Sequence, residues 1–407
     1  MRLYLSLGVA VISLFFTLPA QAVTFTFTKI ADNSGPFSFI NGPSINDAGT
    51  VAFVAGLDAG GQGIFTGNGT TTTTIADSSG SFSNFFSGTS INNSGTVAFT
   101  AILDTLDTRD IPEVGVFTSN GTTTTTIATA EYIPGPINQV NYFSNPSINN
   151  AGTVAYSAEG FRFIQNRTSD GRFLDEGDFR VSFIGPPSIN NVGTVAFVRS
   201  LGRFDFEIRT NNGTTTTTIA RAIEPYAGGT GTFSRFGNAL SINDAGTVAF
   251  EASLTAGGSG IFTINGTTTT TITDSSGPFI DFSDFTEVAI NNAGTVAFAA
   301  NLDEGGGGIF IGPNPLTDKV ISIGDRLSGS TVEQLGFDEE GLNNVGQVAF
   351  FARLTDGTSG IFRAEPVPVI EPTPVPDSNS ALGILVAVPL GLIMMRKKQQ
   401  GVVNSSK

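Results

Sequence analysis

Apolar positions along this chain come in short runs, and Asn, Asp and Gly interrupt them at regular places. One run, Thr50-Val51-Ala52-Phe53-Val54-Ala55, has the period-two character of a β-strand. The residues before it, Asn46-Asp47-Ala48-Gly49, are of the types that accept the positive φ of tight hairpins. Gly63-Ile64-Phe65-Thr66 reads as a further strand, and Asn68-Gly69 turns the chain into Thr70-Thr71-Thr72-Thr73-Thr74-Ile75-Ala76. Threonine is β-branched, so it holds an extended backbone, and its hydroxyl tolerates water. A threonine run with an apolar end therefore suits the outermost strand of a sheet. With the apolar stretch that ends in Ser44-Ile45-Asn46, the unit predicts four antiparallel strands.

The unit recurs. Ser44-Ile45-Asn46-Asp47-Ala48-Gly49-Thr50-Val51-Ala52-Phe53 has six further copies, centred on Gly95, Gly152, Gly193, Gly246, Gly294 and Gly346. A period of roughly 40–50 residues with four strands per repeat is the signature of a β-propeller. The seventh copy stops after its third strand, Gly360-Ile361-Phe362-Arg363, while residues 23–32 form an orphan fourth strand that matches Thr70–Asp77 in register. The expected fold is all-β, a seven-bladed β-propeller over residues 23–365, closed by the N-terminal strand. A right-handed β-helix is the rival, but it does not explain this permutation.

The two ends predict an address. Arg2, the apolar stretch Leu3–Leu18 and Ala20-Gln21-Ala22 read as a secretory signal peptide, residues 1–22. After the propeller come a Pro-rich linker over 366–380, a wholly apolar transmembrane or sorting helix over 381–395 and a basic cytoplasmic tail over 396–407. Pro-rich linker, short apolar helix and terminal Arg396-Lys397-Lys398 resemble the PEP-CTERM sorting signal of Gram-negative bacteria that make exopolysaccharide. The resemblance implies export, membrane-anchored display at the periplasmic face or cell surface, and processing by an exosortase. Val375-Pro376-Asp377-Ser378 departs from the Val-Pro-Glu-Pro box of that signal. The repeats themselves are similar to Asn-x-Gly-x-Val-Ala-Phe tandem arrays of exported bacterial proteins, a resemblance that covers residues 23–365 and implies no activity.

Composition narrows the chemistry. The chain has no His and no Cys, so nucleophile pairs built on His, thiol chemistry and zinc sites of those ligands are excluded. Its net charge is −15, and Arg2, Arg396, Lys397, Lys398 and Lys407 all lie at the ends, leaving the folded part more acidic still. Such a surface repels nucleic acid. Asn-Gly-Thr at Asn68, Asn120, Asn212 and Asn265 matches a glycosylation sequon but reads as a hairpin turn.

Two constellations are candidate sites, both assigned to the face that carries the long, variable loops. Asp58, Asp104, Asp303 and Asp356 occupy equivalent loop positions, and a ring of carboxylates there would suit calcium; Asp before Gly is also an ordinary turn former. No other cofactor is expected. Tyr132, Tyr142 and Tyr156, with Arg162, Arg172, Arg199 and Arg203, gather in the divergent third and fourth repeats. Tyr and Arg are favoured at recognition hot spots, which points to a carbohydrate or matrix-protein partner. Glu339-Glu340 is a carboxylate pair of the kind glycosidases use, but nothing in the sequence sets it apart. The expected function is a non-catalytic binding or structural module for exopolysaccharide or matrix partners. A carbohydrate-active hydrolase or lyase using Asp and Glu is the alternative.

Overall fold

A computed structural model describes residues 22–106, 112–131, 140–160, 163–178, 185–202, 205–223, 232–282 and 287–367. Residues 1–21 and everything from 368 onward lie outside these, so the signal peptide, most of the linker and the apolar helix read at 381–395 are not described. The described residues belong to one compact unit that ends at Val367. Among them there is no helix, and none long and apolar enough to cross a membrane.

The fold is all-β, with the strands gathered into a propeller-like arrangement of blades. In the first blade, Phe37–Ile45, Val51–Leu57, Gln62–Gly67 and Thr72–Asp77 follow one another antiparallel in chain order. The second repeats this with Phe82–Ile91, Val97–Leu106, Pro112–Ser119 and Thr124–Glu131. Five of the six sheets are single blades of four or five strands. The sixth has eight strands, two antiparallel runs of four joined by one parallel pair, Ala222 with Phe233. The threonine strands lie last in their blades, and Thr72, Thr73 and Thr74 are exposed.

Each repeat's turn has the geometry its residues predict. Gly49 sits at φ 75° and donates its N–H to the Asn46 carbonyl at 2.9 Å. The matching glycine of every other repeat lies between φ 76° and 83°. A side chain is strained in that left-handed region, so glycine is required there.

The strand after the turn departs from a half-exposed pattern. Val51, Ala52, Phe53, Val54 and Ala55 are all buried, because the strand is covered on both faces and alternates large with small side chains rather than apolar with polar. Within a blade, three phenylalanines from successive strands pack together. Phe37, Phe53 and Phe65 have ring centroids 4.9 to 6.0 Å apart, and the triad recurs as Phe82, Phe99 and Phe117 and as Phe279, Phe298 and Phe310. Truncating such a ring to alanine costs about 3–5 kcal/mol.

Closure follows the sequence register. Phe25–Asp32 lies antiparallel along Ser359–Pro366, pairing Phe25 with Pro366 and Asp32 with Gly360. The ladder runs one residue past the boundary placed at 365. Residues from both ends of the chain thus share one blade.

Candidate functional site

The signature asparagines form the centre. Asn46 is buried, and its Oδ1 accepts the backbone N–H of Ala48 and Thr50 at 3.1 and 3.0 Å, which fixes the hairpin. Its Nδ2 then donates to the carbonyl of Asn92 in the next repeat at 3.1 Å. Asn92 does the same to Asn149, Asn149 to Asn190, Asn190 to Asn243, Asn243 to Asn291, Asn291 to Asn343, and Asn343 back to Asn46, all between 2.8 and 3.2 Å. The hydrogen bonds run in one rotational sense and close on themselves.

A second ring lies one residue further on. The backbone N–H of Asp47 donates to Asn93 Oδ1, and the sequence continues through Asn150, Asn191, Asp244, Asn292 and Asn344 back to Asp47, at 2.7 to 2.9 Å. Asp stands in this ring where both neighbours can donate to it. Asp47 Oδ2 accepts from Asn93 and Asn344 at 2.8 and 3.1 Å, and Asp244 Oδ2 accepts from Asn191 and Asn292 at 3.2 and 2.6 Å. Burial alone would raise the Asp47 carboxyl, but the hydrogen bonds from Asn93 and Asn344 hold it below its ordinary value.

The rings surround a cavity of about 110 Å³ whose lining adds Glu339 and Glu340 to the turn residues. It opens among the short, uniform turns rather than the long, variable loops. Glu340 is held by Ser147, whose Oγ donates to Oε1 at 2.7 Å, and by the Ser90 side chain. These serines belong to the signatures of the second and third repeats, and each also accepts a backbone N–H from the following repeat. Burial pushes the Glu340 carboxyl up to about 7, with the Glu339 charge adding to it and the serine hydrogen bonds opposing it.

Glu287, Asp338 and Glu339 complete an acidic cluster, with carboxylate oxygens within 4.8 Å of one another. Burial, reinforced by the Glu339 charge, raises Glu287 and Asp338 well above the carboxylate range. Among the described residues, no ion pair involves any of these four acids. The sequence carried a signal for them. Glu287 and Glu339 both stand four residues before the signature Asn, where the other repeats have Gly42, Gly88, Asn145, Pro186 and Ala239.

The predicted site residues fare differently. Asp58, Asp104, Asp303 and Asp356 are exposed and are not brought together; among the described residues the one acidic group of metal-site dimensions is Glu287, Asp338 and Glu339. Local turn structure accounts for them instead. Asp58, Asp104 and Asp303 each donate a backbone N–H to the strand-entry loop of their own blade, and Asp356 Oδ1 accepts from Thr358 N at 2.9 Å. Tyr156 is no surface residue. It is 7% exposed, packs edge-on against Phe143 with centroids 5.8 Å apart, and occupies the signature position held by Phe53 in the first repeat. Arg172 is engaged with Asp170 at 3.1 Å and with the Gly193 carbonyl at 3.0 Å, tying the third repeat to the fourth. Arg199 is half-buried and has a partner. Tyr142 contributes backbone to strand Val140–Phe143, while its side chain, like the whole of Tyr132, Arg162 and Arg203, lies outside the described residues.

Comparison with known proteins adds the fold's relatives. Solved structures similar to this chain include an inactivated virginiamycin B lyase from Staphylococcus aureus with quinupristin, at 12% identity and TM-score 0.44 over 84% of this chain and 100% of that one. An oligogalacturonate lyase in complex with manganese matches at 9% identity and TM-score 0.48, over 86% and 98%. YCF48 bound to D1 peptide matches at 12% and 0.42, over 84% and 96%. Lyases and a peptide-binding protein thus share this likeness, which concerns the backbone and says nothing of chemistry. No curated protein matches the chain. A family model matches twice, over residues 20–182 and 178–376, and the chain belongs to that family, the family of unknown function DUF7453.

Proposed function

We propose that this protein is a displayed scaffold that binds its partner without transforming it. The observation that carries this reading is the double ring. The most repeated polar side chains of the chain, those a catalytic motif would aim at a substrate, are committed to holding one repeat to the next. We count seven blades, taking the eight-stranded sheet as two; the seven-membered asparagine circuit supports that count. The address follows from the ends: export by the leader at 1–22, and anchoring through 381–395 by a tail that resembles the PEP-CTERM signal. With a net charge of −15, the partner is taken to be an exopolysaccharide or a matrix protein rather than nucleic acid.

Glycan-array binding by the purified full-length chain tests this. Binding without any change in the glycan supports the scaffold, and cleavage of a bound glycan overturns it. A second reading, hydrolase or lyase, draws on one observation, the Glu340 carboxyl poised near neutrality beside other acids. The cavity at Glu340, about 110 Å³, is smaller than the roughly 300–1,000 Å³ of ordinary ligand pockets, which favours the scaffold.

A further inference from the structure

We propose that Glu287, Asp338 and Glu339 form a binding site for one hard divalent cation of the calcium class, beside the ring-bound cavity that Glu339 lines. Three carboxylates from two adjacent repeats converge, their oxygens within 4.8 Å of each other. Oxygens so spaced can all lie about 2.3–2.6 Å from one central ion, the reach of a calcium coordination sphere. The donors are oxygen only, in a chain with no His or Cys, which selects hard ions over zinc or copper.

The second observation is independent of the clustering. Glu287 Oε2 is buried and has no hydrogen-bond partner, although the neighbouring asparagine ring and Ser147 are paired. A buried carboxylate oxygen left without a donor is costly, and a cation satisfies it. The sixth and seventh repeats are the two that carry Glu at this register position, Glu287 and Glu339. Glu340, tied to Ser147, stays outside the ligand set and adds negative field. The site is separate from the loop aspartates Asp58, Asp104, Asp303 and Asp356, and it does not depend on what partner the scaffold binds.

The test is thermal unfolding and isothermal titration of the full chain at pH 7.5 after chelation, with calcium, magnesium or manganese chloride alone as probe. Calcium is expected to bind one ion per chain and to raise Tm by several degrees, with a smaller response to magnesium. Glu287→Gln and Glu339→Gln should each abolish that response while matching or exceeding the cation-free Tm of the parent, because each relieves repulsion. Asp338→Asn serves as a third variant should either of these fail to fold. No calcium shift in the parent chain overturns the proposal. So does a shift that persists undiminished in the variants, which would place the ion elsewhere.

Discussion

The asparagine rings and the acid cluster adjoin at Glu339, which lines the ring-bound cavity, and one ends its side chains in amides while the other ends them in carboxylates, so their chemistry is opposite. An amide carries both a donor and an acceptor, so each signature Asn can accept its own turn's backbone N–H groups at Oδ1 and donate from Nδ2 to the backbone carbonyl of the equivalent Asn in the next repeat. Asn46, Asn92 and their counterparts do so with distances of 2.8 to 3.2 Å. An ionised carboxylate is acceptor-only, so Glu287, Asp338 and Glu339 cannot pair among themselves without a proton or a cation. The rings are complete as they stand, while the cluster is complete only with something added. That contrast separates the scaffold of this molecule from its site.

The strongest way to break the contrast is to put a carboxylate into the buried ring from Asn46 to Asn343, which holds none. Asn190→Asp places an acceptor where Nδ2 donates to the Asn243 carbonyl at 2.8 Å. The variant should lose about 3 kcal/mol of stability in urea unfolding, and Asn190→Ala somewhat less. A loss under 1 kcal/mol would mean the circuit does not hold the blades.

A second, smaller effect comes from pH. Glu340 has its folded value raised to about 7, so the folded state binds the extra proton. In chelated buffer its contribution is therefore fully present below the ordinary Glu range and is lost as pH rises through about 7. Glu340→Gln keeps an acceptor for Ser147 and should flatten this limb of the stability curve. An unchanged limb would remove Glu340 as its cause.

The smallest effect has the opposite sign. Asp47 is held below its ordinary value, so its contribution is present above the usual Asp range and is lost as pH falls through the lowered value. Asp47→Asn should cost under about 1 kcal/mol at pH 7 and weaken the acid limb, seen in thermal unfolding between pH 2 and 5. Parallel acid limbs in the two proteins would show that the ring carboxylate is not what titrates.

Features confined to one repeat could be read directly. The turn glycine at Gly49 and the exposed threonine strands follow from local backbone and side-chain preferences, and the pairing of Phe25–Asp32 with Ser359–Pro366 follows from comparing repeats. Tyr156 was legible too, since it stands in the signature's aromatic column, but its chemical type suggested a surface role. The cluster was not legible from residue type. Glu287 and Glu339 are distant in sequence, and Glu340 meets Ser147 across 193 residues, so they converge only once the channel is built. The loop aspartates differ in the converse way: their backbones are tied into local turns, and equivalent positions on successive repeats do not bring their carboxylates together.

The blade shared by the two ends sets an order of events. Phe25–Asp32 is synthesised first, but its partner Ser359–Pro366 is made more than three hundred residues later. Until then the early strand has unpaired backbone groups on offer, and any passing edge can take them. Contacts of such sequence separation form slowly. The last step of folding is therefore an end-to-end capture, and a chain halted before residue 359 is an open array with a sticky strand at its start.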